Sequence, residues 1–340
     1  MTDHTDIEFL DPRDSDMLQR APLGALRPSS TAPLIVTPTF VSRTDATPEH
    51  QRAHDAGSGV DKDGNEVHNP DQHPQRLALE PNLNLAFEHW DEYWRKVHGP
   101  KFAYEEPGTS NDLVVRYDQV HRIASGPSSA FRPPYRAQTV ADGRLQPEPA
   151  RHVPAYHRPD WDGFAYIAYG QQADIEKTLS QAQYAERIIA DEQTAFRMVT
   201  RELAREYILI PSATHREPVS LVKLHFCKPG VSREAFQGTW LHGLADEVMG
   251  KAATQAYVKR YVQLHPFGST QEDPEGSKID GISVFSFANL NDAEDFVASR
   301  DWADLETAES AFTDAERSNF WTAINYVVIN RVGPERATDR

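Results

Sequence analysis

Cysteine is almost absent from this chain: Cys227 is the only one in 340 residues. A disulfide within the chain is therefore impossible, and a reducing, cytoplasmic setting is the natural expectation. No run of about 18 apolar residues, the length that crosses a bilayer as a helix, occurs anywhere. The opening Met1-Thr-Asp-His-Thr-Asp lacks the basic and apolar regions of a secretory leader. Basic residues are outnumbered, 35 Lys and Arg against 51 Asp and Glu, for a net charge of −16. Nucleic acid and anionic membranes would repel such a chain, so neither is expected as a partner. A Gly-rich phosphate loop, a Gly-x-Ser-x-Gly elbow and paired-cysteine metal motifs are also missing.

What the chain does have is one block twice. Residues 113–121 and 257–265 share the pattern Arg-Tyr-x-Gln-x-His, with Arg116 matching Arg260 and His121 matching His265, an offset of 144 (260 − 116). Tyr93-Trp94 precedes the first copy and Thr239-Trp240 the second. An Asp-Gly pair and an alternating strand follow each, at Asp162-Gly163 and Asp280-Gly281. A repeat of this length implies two copies of one structural unit, and the places where the copies differ become the clue to function.

Read along its length, the chain divides into a polar arm (1–30), a first unit (31–211), a second unit (212–331) and a short tail (332–340). The hydrophobic fraction of 39% fits a core diluted by polar insertions, expected at 43–82 and 124–160, where no helical or strand period is visible. In the first unit, strands are expected at 32–41, where Pro38 suggests an edge or bulge, and at 112–123, 163–169 and 207–210. Helices are expected at 84–98, ended by Gly99-Pro100, and from Asp174 to about Arg205. The second unit reads strand 219–226, helix 232–250, strands 256–265 and 281–287, helices 291–301 and 304–318, and strand 323–330. Each unit is thus β-α-β-β-α-β, the ferredoxin-like pattern, and the fold class is α+β.

The segment from Leu221 to Phe236, with its Lys228-Pro-Gly-Val-Ser232, followed by Trp240, Arg260–His265 and Asp280-Gly281, resembles the EthD-like families of the dimeric α+β barrel group. The first unit fits the later part of the same motif better, in Tyr93-Trp94-Arg-Lys-Val-His98-Gly99-Pro100, while its opening departs from it. The resemblance covers roughly 32–42 and 84–330. It implies two ferredoxin-like sheets packed face to face as a barrel, here within one chain, as a monomeric pseudo-dimer or a homodimer. Families of this kind include cyclases, isomerases, cofactor-free monooxygenases and haem enzymes, so the fold does not choose the chemistry.

His98 is the first candidate catalytic residue. It follows Trp94 by four residues on one helix face, at a helix end whose dipole favours the protonated ring. Its counterpart is Leu244, with His242 displaced by two residues, or about 200° around a helix. The plainer alternative is a histidine that only ends its helix. Tyr117, Gln119 and His121 alternate onto one strand face, expected to look toward the partner sheet. There they would line a ligand cavity, with Tyr117 and His121 as further candidate catalytic residues and Gln119 binding substrate, orienting it or stabilising developing negative charge, or else form a solvated face or an interface network. Tyr93, Trp94 and Tyr166 are expected to shape a flat apolar pocket for the substrate, or simply to be core. Cys227 reads as a buried core residue.

The first insertion holds His50, His54, His68 and His73 and the run Asp61–Glu66. No pair has zinc-motif spacing and the run lacks the ligand order of an EF-hand, so no metal is expected. A lid or a packing loop remain the alternatives. The favoured function is a cofactor-independent enzyme in which His98 moves a proton on a small apolar, aromatic carbonyl or phenolic substrate: an isomerase, cyclase, lyase or oxygenase. The alternatives are a haem enzyme, with His98, His121, His242 or His265 as axial ligand, and a non-catalytic carrier of a hydrophobic ligand.

Overall fold

A computed structural model describes residues 29–43, 58–60, 66–68, 87–103, 113–123, 126–133, 138–141, 144–147, 160–182, 184–213, 217–269 and 279–340. Eight strands close into an antiparallel barrel: β1 (Ile35–Arg43), β2 (Val114–Arg122), β3 (Gly163–Tyr169), β4 (Phe196–Ile210), β5 (Val219–His225), β6 (Val258–Ser269), β7 (Gly281–Phe287) and β8 (Asn319–Asn330). Around the barrel the order is β1-β3-β2-β8-β5-β7-β6-β4. Each half of the chain therefore lays down four strands in the order fourth, first, third, second. The two long fourth strands are the seams, β4 pairing with β1 and β6, and β8 with β5 and β2.

Alternation along each strand sends one side-chain set inward and the other under the helices. In β3, Phe164, Tyr166 and Ala168 join the barrel interior with Val36, Phe40, Val222, Leu264 and Trp321. Ala165, Ile167 and Tyr169 face an outer layer with Trp90, Trp94 and Phe196. A second outer layer collects Phe236, Trp240, Phe285, Phe296 and Trp302. Both faces are covered, which is why β3 and β7 are buried at every position. No described helix is long and apolar enough to cross a membrane.

Several sequence expectations change. Phe196–Ile210 is one strand of 15 residues where a helix to about Arg205 was expected. Its Glu, Leu, Ala and Arg favour helix, but pairing with strands on both sides overrides local propensity. Pro38 is not at an edge, since β1 is flanked by β3 and β4; the β4 ladder instead skips Thr37 and Pro38, where an N–H is missing. The helix α1 (Phe87–Tyr93) does not end at Gly99-Pro100: a π-helical turn, Trp94–His98, follows, and Pro100–Ala103 continues as helix. Proline is tolerated there because it opens the new turn, where its absent N–H is not needed. The expected helix at 232–250 is likewise interrupted, α2 (Arg233–Thr239) passing through a π-turn at Trp240–Leu244 into Ala245–Gly250. Within the two insertions, two small hairpins form, Ser58–Val60 with Glu66–His68 and Gln138–Ala141 with Arg144–Pro147. His50, His54, His73 and residues 61–65 lie outside the described residues, as do 1–28 of the arm.

The repeated Asp-Gly pairs are more than turns. A Cβ at Gly163 would sit 2.6 Å from the Trp94 ring and 2.5 Å from the Val120 carbonyl oxygen. At Gly281 it would meet Trp240 at 2.7 Å and Phe236 at 2.9 Å. The preceding aspartates accept backbone N–H bonds from Arg43 and Cys227, at 2.8 and 2.7 Å. Gly163→Ala is therefore expected to destabilise the protein by about 1–3 kcal/mol through overpacking, read as a lower urea midpoint. An unchanged midpoint would show that Trp94 has room to yield.

Candidate active site

The two π-turns at Trp94–His98 and Trp240–Leu244 share one feature. In the first half, the Trp94 carbonyl accepts the Gly99 N–H, five residues on, at 2.9 Å and the Gln119 side-chain amide at 2.9 Å. In the second half, the Trp240 carbonyl accepts the Ala245 N–H and the Gln263 amide, the latter at 3.2 Å. Each glutamine also donates to the tyrosine two residues before it, Tyr117 at 3.0 Å and Tyr261 at 2.9 Å. With its nitrogen so committed, Gln119 Oε1 faces His121 Nε2 at 3.2 Å, and Gln263 Oε1 faces His265 Nε2 at 3.0 Å. The indoles of Trp94 and Trp240 stack on these histidines, with centroids 4.0 and 4.7 Å apart. The shared Trp, Tyr, Gln and His thus build the same bonded unit twice, under a helix and against the outer face of the barrel. That corrects one expectation: the Tyr117–Gln119–His121 face looks at the helices, not at the other sheet.

The two units differ in their acids. His121 Nδ1 bonds the Asp91 carboxylate of α1. Burial pushes the His121 pKa down while the Asp91 carboxylate pulls it back up. Nδ1 thus faces Asp91 and Nε2 faces Gln119 Oε1. His265 has no such acid among its charged neighbours, which are His225, Arg205 and His242, and burial with that positive surrounding lowers it to about 3.

His98 lies one π-turn beyond Trp94, 3% exposed, with its ring edge-on to Phe196 at 5.3 Å. Its Nδ1 is 2.6 Å from Asp191 Oδ2, and Lys101 Nζ is 2.6 Å from Asp191 Oδ1. The Tyr93 hydroxyl donates to the same carboxylate, and burial with that charge raises its pKa, keeping the phenol protonated. Burial alone would raise the Asp191 carboxyl, but His98, Lys101 and Tyr93 hold it at about 2. Asp191 is therefore an anion at neutral pH and accepts the His98 Nδ1 proton, which fixes the tautomer. At the matching position the second half has Leu244, buried in its outer core. There the polar feature is instead His225 Nε2 bonded to Ser283 Oγ at 3.0 Å, where the first half has Val41 and Ala165.

Of the seven residues expected at the site, His98, His121, Tyr117, Gln119, Trp94 and Tyr93 share this layer. Tyr166 does not. It points into the barrel, where Arg116 and Arg260 lie over its ring at 5.3 and 5.8 Å and its hydroxyl bonds Glu206. One residue of register separates the faces, and a strand's phase against its helix is not written in the strand alone. Asp91 and Asp191 were missed: charged residues on helices read as solvent-facing, and Asp191 is 93 residues from His98. Cys227, expected to be buried, is only partly so and lies just beyond β5.

Among the described residues no group of three or more His, Cys, Asp or Glu is arranged to hold a metal ion. Three of the four histidines offered as axial ligands fit haem poorly: His121 and His265 commit Nε2 to a glutamine, and His242 is on the exposed surface.

Against this geometry, the EthD domain matches residues 228–316. The matched stretch holds α2, the Trp240 π-turn, β6 and β7, the elements that build the Trp240–Gln263–His265 unit. No curated protein matches the chain. Among solved structures, similar proteins include one named "putative monooxygenase" from Lactobacillus acidophilus, 7% identical with TM-score 0.44, covering 91% of this chain and 100% of its own. One of the same name from Fusobacterium nucleatum is 7% identical, with TM-score 0.41 over 91% and 98%. An anthrone oxidase-like protein is 12% identical, with TM-score 0.45 over 88% and 95%. At TM-scores below 0.5 these likenesses bear on neither the activity nor the details of the fold.

The buried ionisable groups set an expected acid response. His265, lowered to about 3, is protonated more readily when unfolded, so its stabilising contribution is complete above about pH 6.5 and drains as pH falls below that. Asp191 and Glu335, both lowered to about 2, stabilise the fold above their ordinary carboxylate range, and that is lost as pH falls from about 4.5 toward 2. Unfolding midpoints in urea should fall in two stages across these windows. His265→Gln, which can still donate to Gln263, should shrink the upper stage without touching the lower one, the remainder belonging to His121 and His225, which burial also lowers; an unaltered upper stage would remove His265 as a source.

Proposed function

We propose that this chain is an enzyme that moves a proton to or from a small, largely apolar substrate, an aromatic carbonyl compound or a phenol, without a nucleotide cofactor. The observation that carries this reading is the buried His98–Asp191 pair. It is set among Trp94 and Phe196, in the half of the chain whose repeated unit has gained acids. The shared strand order and repeated Trp–Gln–His bonds support taking the halves as tandem ferredoxin-like copies. On that reading one copy is equipped for chemistry and the other supports the barrel.

With Nδ1 held by Asp191, the acid–base chemistry falls to Nε2. In abstraction of a proton from carbon beside a carbonyl, Nε2 takes the proton and Asp191 stabilises the imidazolium. Return of the proton to another atom isomerises the substrate, and loss of a leaving group makes the step an elimination. Removal of a phenolic proton likewise prepares an electron-rich ring for cyclisation or oxygenation. Gln119, Tyr117 and His121 act as positioning residues, because Gln119 holds the Trp94 carbonyl from which the turn carrying His98 is hung. Exchange of the acidic C–H of aromatic ketones in D2O, followed by NMR, tests the reading. Wild type should catalyse the exchange and His98→Ala should not; a folded His98→Ala with full exchange overturns it.

A further inference from the structure

The two repeated arginines converge on one residue of the tail. Arg116 Nη1 is 2.8 Å from Glu335, and Arg260 Nε lies 3.0 and 2.9 Å from its two carboxylate oxygens. The Ser212 backbone N–H donates to the same carboxylate at 2.9 Å. Each arginine also binds a carboxylate of the barrel itself, Asp118 for Arg116 at 2.7 Å and Glu206 for Arg260 at 2.9 Å. Glu335 is thus the acid in this cluster that belongs to no strand. Its side chain is 1% exposed although Pro334 and Arg336 on either side are on the surface. Beside it lies a cavity of about 460 Å³, walled by Leu34, Ile208 and Gly170 of the barrel and by Val332, Pro334 and Thr338 of the tail. That volume is in the range of small-molecule sites.

We propose that this barrel mouth is a binding site for a small apolar carboxylic acid, and that Glu335 fills its carboxylate position in cis. Three N–H donors aimed at one carboxylate form a receptor of high specificity for that group. Emptied, these N–H groups would lose the acceptor they are aimed at, although the arginines keep Asp118 and Glu206, so the position favours an anion. A ligand carboxylate in place of Glu335 leaves the charge of the cluster unchanged, and an apolar body attached to it would lie along Leu34 and Ile208. The tail that must yield is otherwise held by Thr338 N–H to Ile208 O at 2.8 Å, Ile208 N–H to Thr338 Oγ1 at 2.9 Å, Ser29 Oγ to Pro334 O at 2.6 Å, the Thr31–Asp339 contacts, and Arg340 to Leu241 O at 3.3 Å and Asp246 at 2.7 Å. This site is on the inner face of the barrel, opposite to the His98 layer, and is independent of its chemistry.

Benzoate is the probe and neutral benzamide its control. Glu335→Ala, with the rest of the tail intact, should gain thermal stability saturably with benzoate and not with benzamide. Glu335→Gln, which keeps the shape and the Ser212 bond, gives the same reading if the alanine variant does not fold. In wild type, benzoate should displace the tail and speed trypsin cleavage after Arg336. An absent response, an equal response to benzamide, or benzoate binding to wild type without faster cleavage overturns the proposal.

Discussion

Arg260→Met should destabilise the protein by about 3–5 kcal/mol, the largest loss expected from any single change outside the apolar core. The arginine is 3% exposed and neutralises two carboxylates at once, Glu206 and Glu335, whose own side chains are 2% and 1% exposed. Methionine fills much the same space and leaves two buried anions close together, one still held by Arg116. The Tyr166 hydroxyl keeps its bond to Glu206 but cannot replace the lost charge. If charge is the cause, Arg260→Met combined with Glu335→Gln should recover a good part of the loss. Urea unfolding of the three proteins decides it: additive losses would mean that Arg260 stabilises by packing alone.

His98→Ala should reduce turnover by about 10²–10⁴-fold, the usual contribution of a positioned general acid or base. Asp191→Asn makes the assignment sharper. It preserves volume and removes the anion that holds the ring, so the maximal rate should fall by about 10–10³-fold while substrate KM changes little. A merely structural Asp191 predicts the opposite pattern, lower stability with normal kinetics in the fraction that folds. Leu244→His, placing a histidine at the matching position in the second half, should add no activity, because the Asp191 that orients His98 lies in the first half. Activity gained in that variant would show that the acid is dispensable.

Much of this protein was legible in its sequence. The duplicated Arg-Tyr-x-Gln-x-His block marked both bonded units before any coordinate, because the spacing of two in a strand forces Tyr, Gln and His onto one face and Arg onto the other. Strands β3 and β7 were placed to the residue, since an Asp-Gly start and strict alternation leave little freedom. The contrast between His98 and Leu244 was equally plain. The fifteen-residue strand β4 was not, because residues with helical propensity become a strand only when neighbours on both sides offer ladders.

Three things were decided by tertiary structure alone. Which sheet face meets the helices set the fate of Tyr166, now part of a charged cluster inside the barrel. Which acids meet which histidines was set by the folding of Asp191 back onto α1 and of Asp91 onto β2, contacts that span 93 and 30 residues. The tail, nine unremarked residues in the sequence, supplies the carboxylate that joins the two halves' arginines, through contacts 219 and 75 residues apart. Local sequence fixes the period and face of each element, whereas pairings between distant charges arise only once barrel closure brings their elements together.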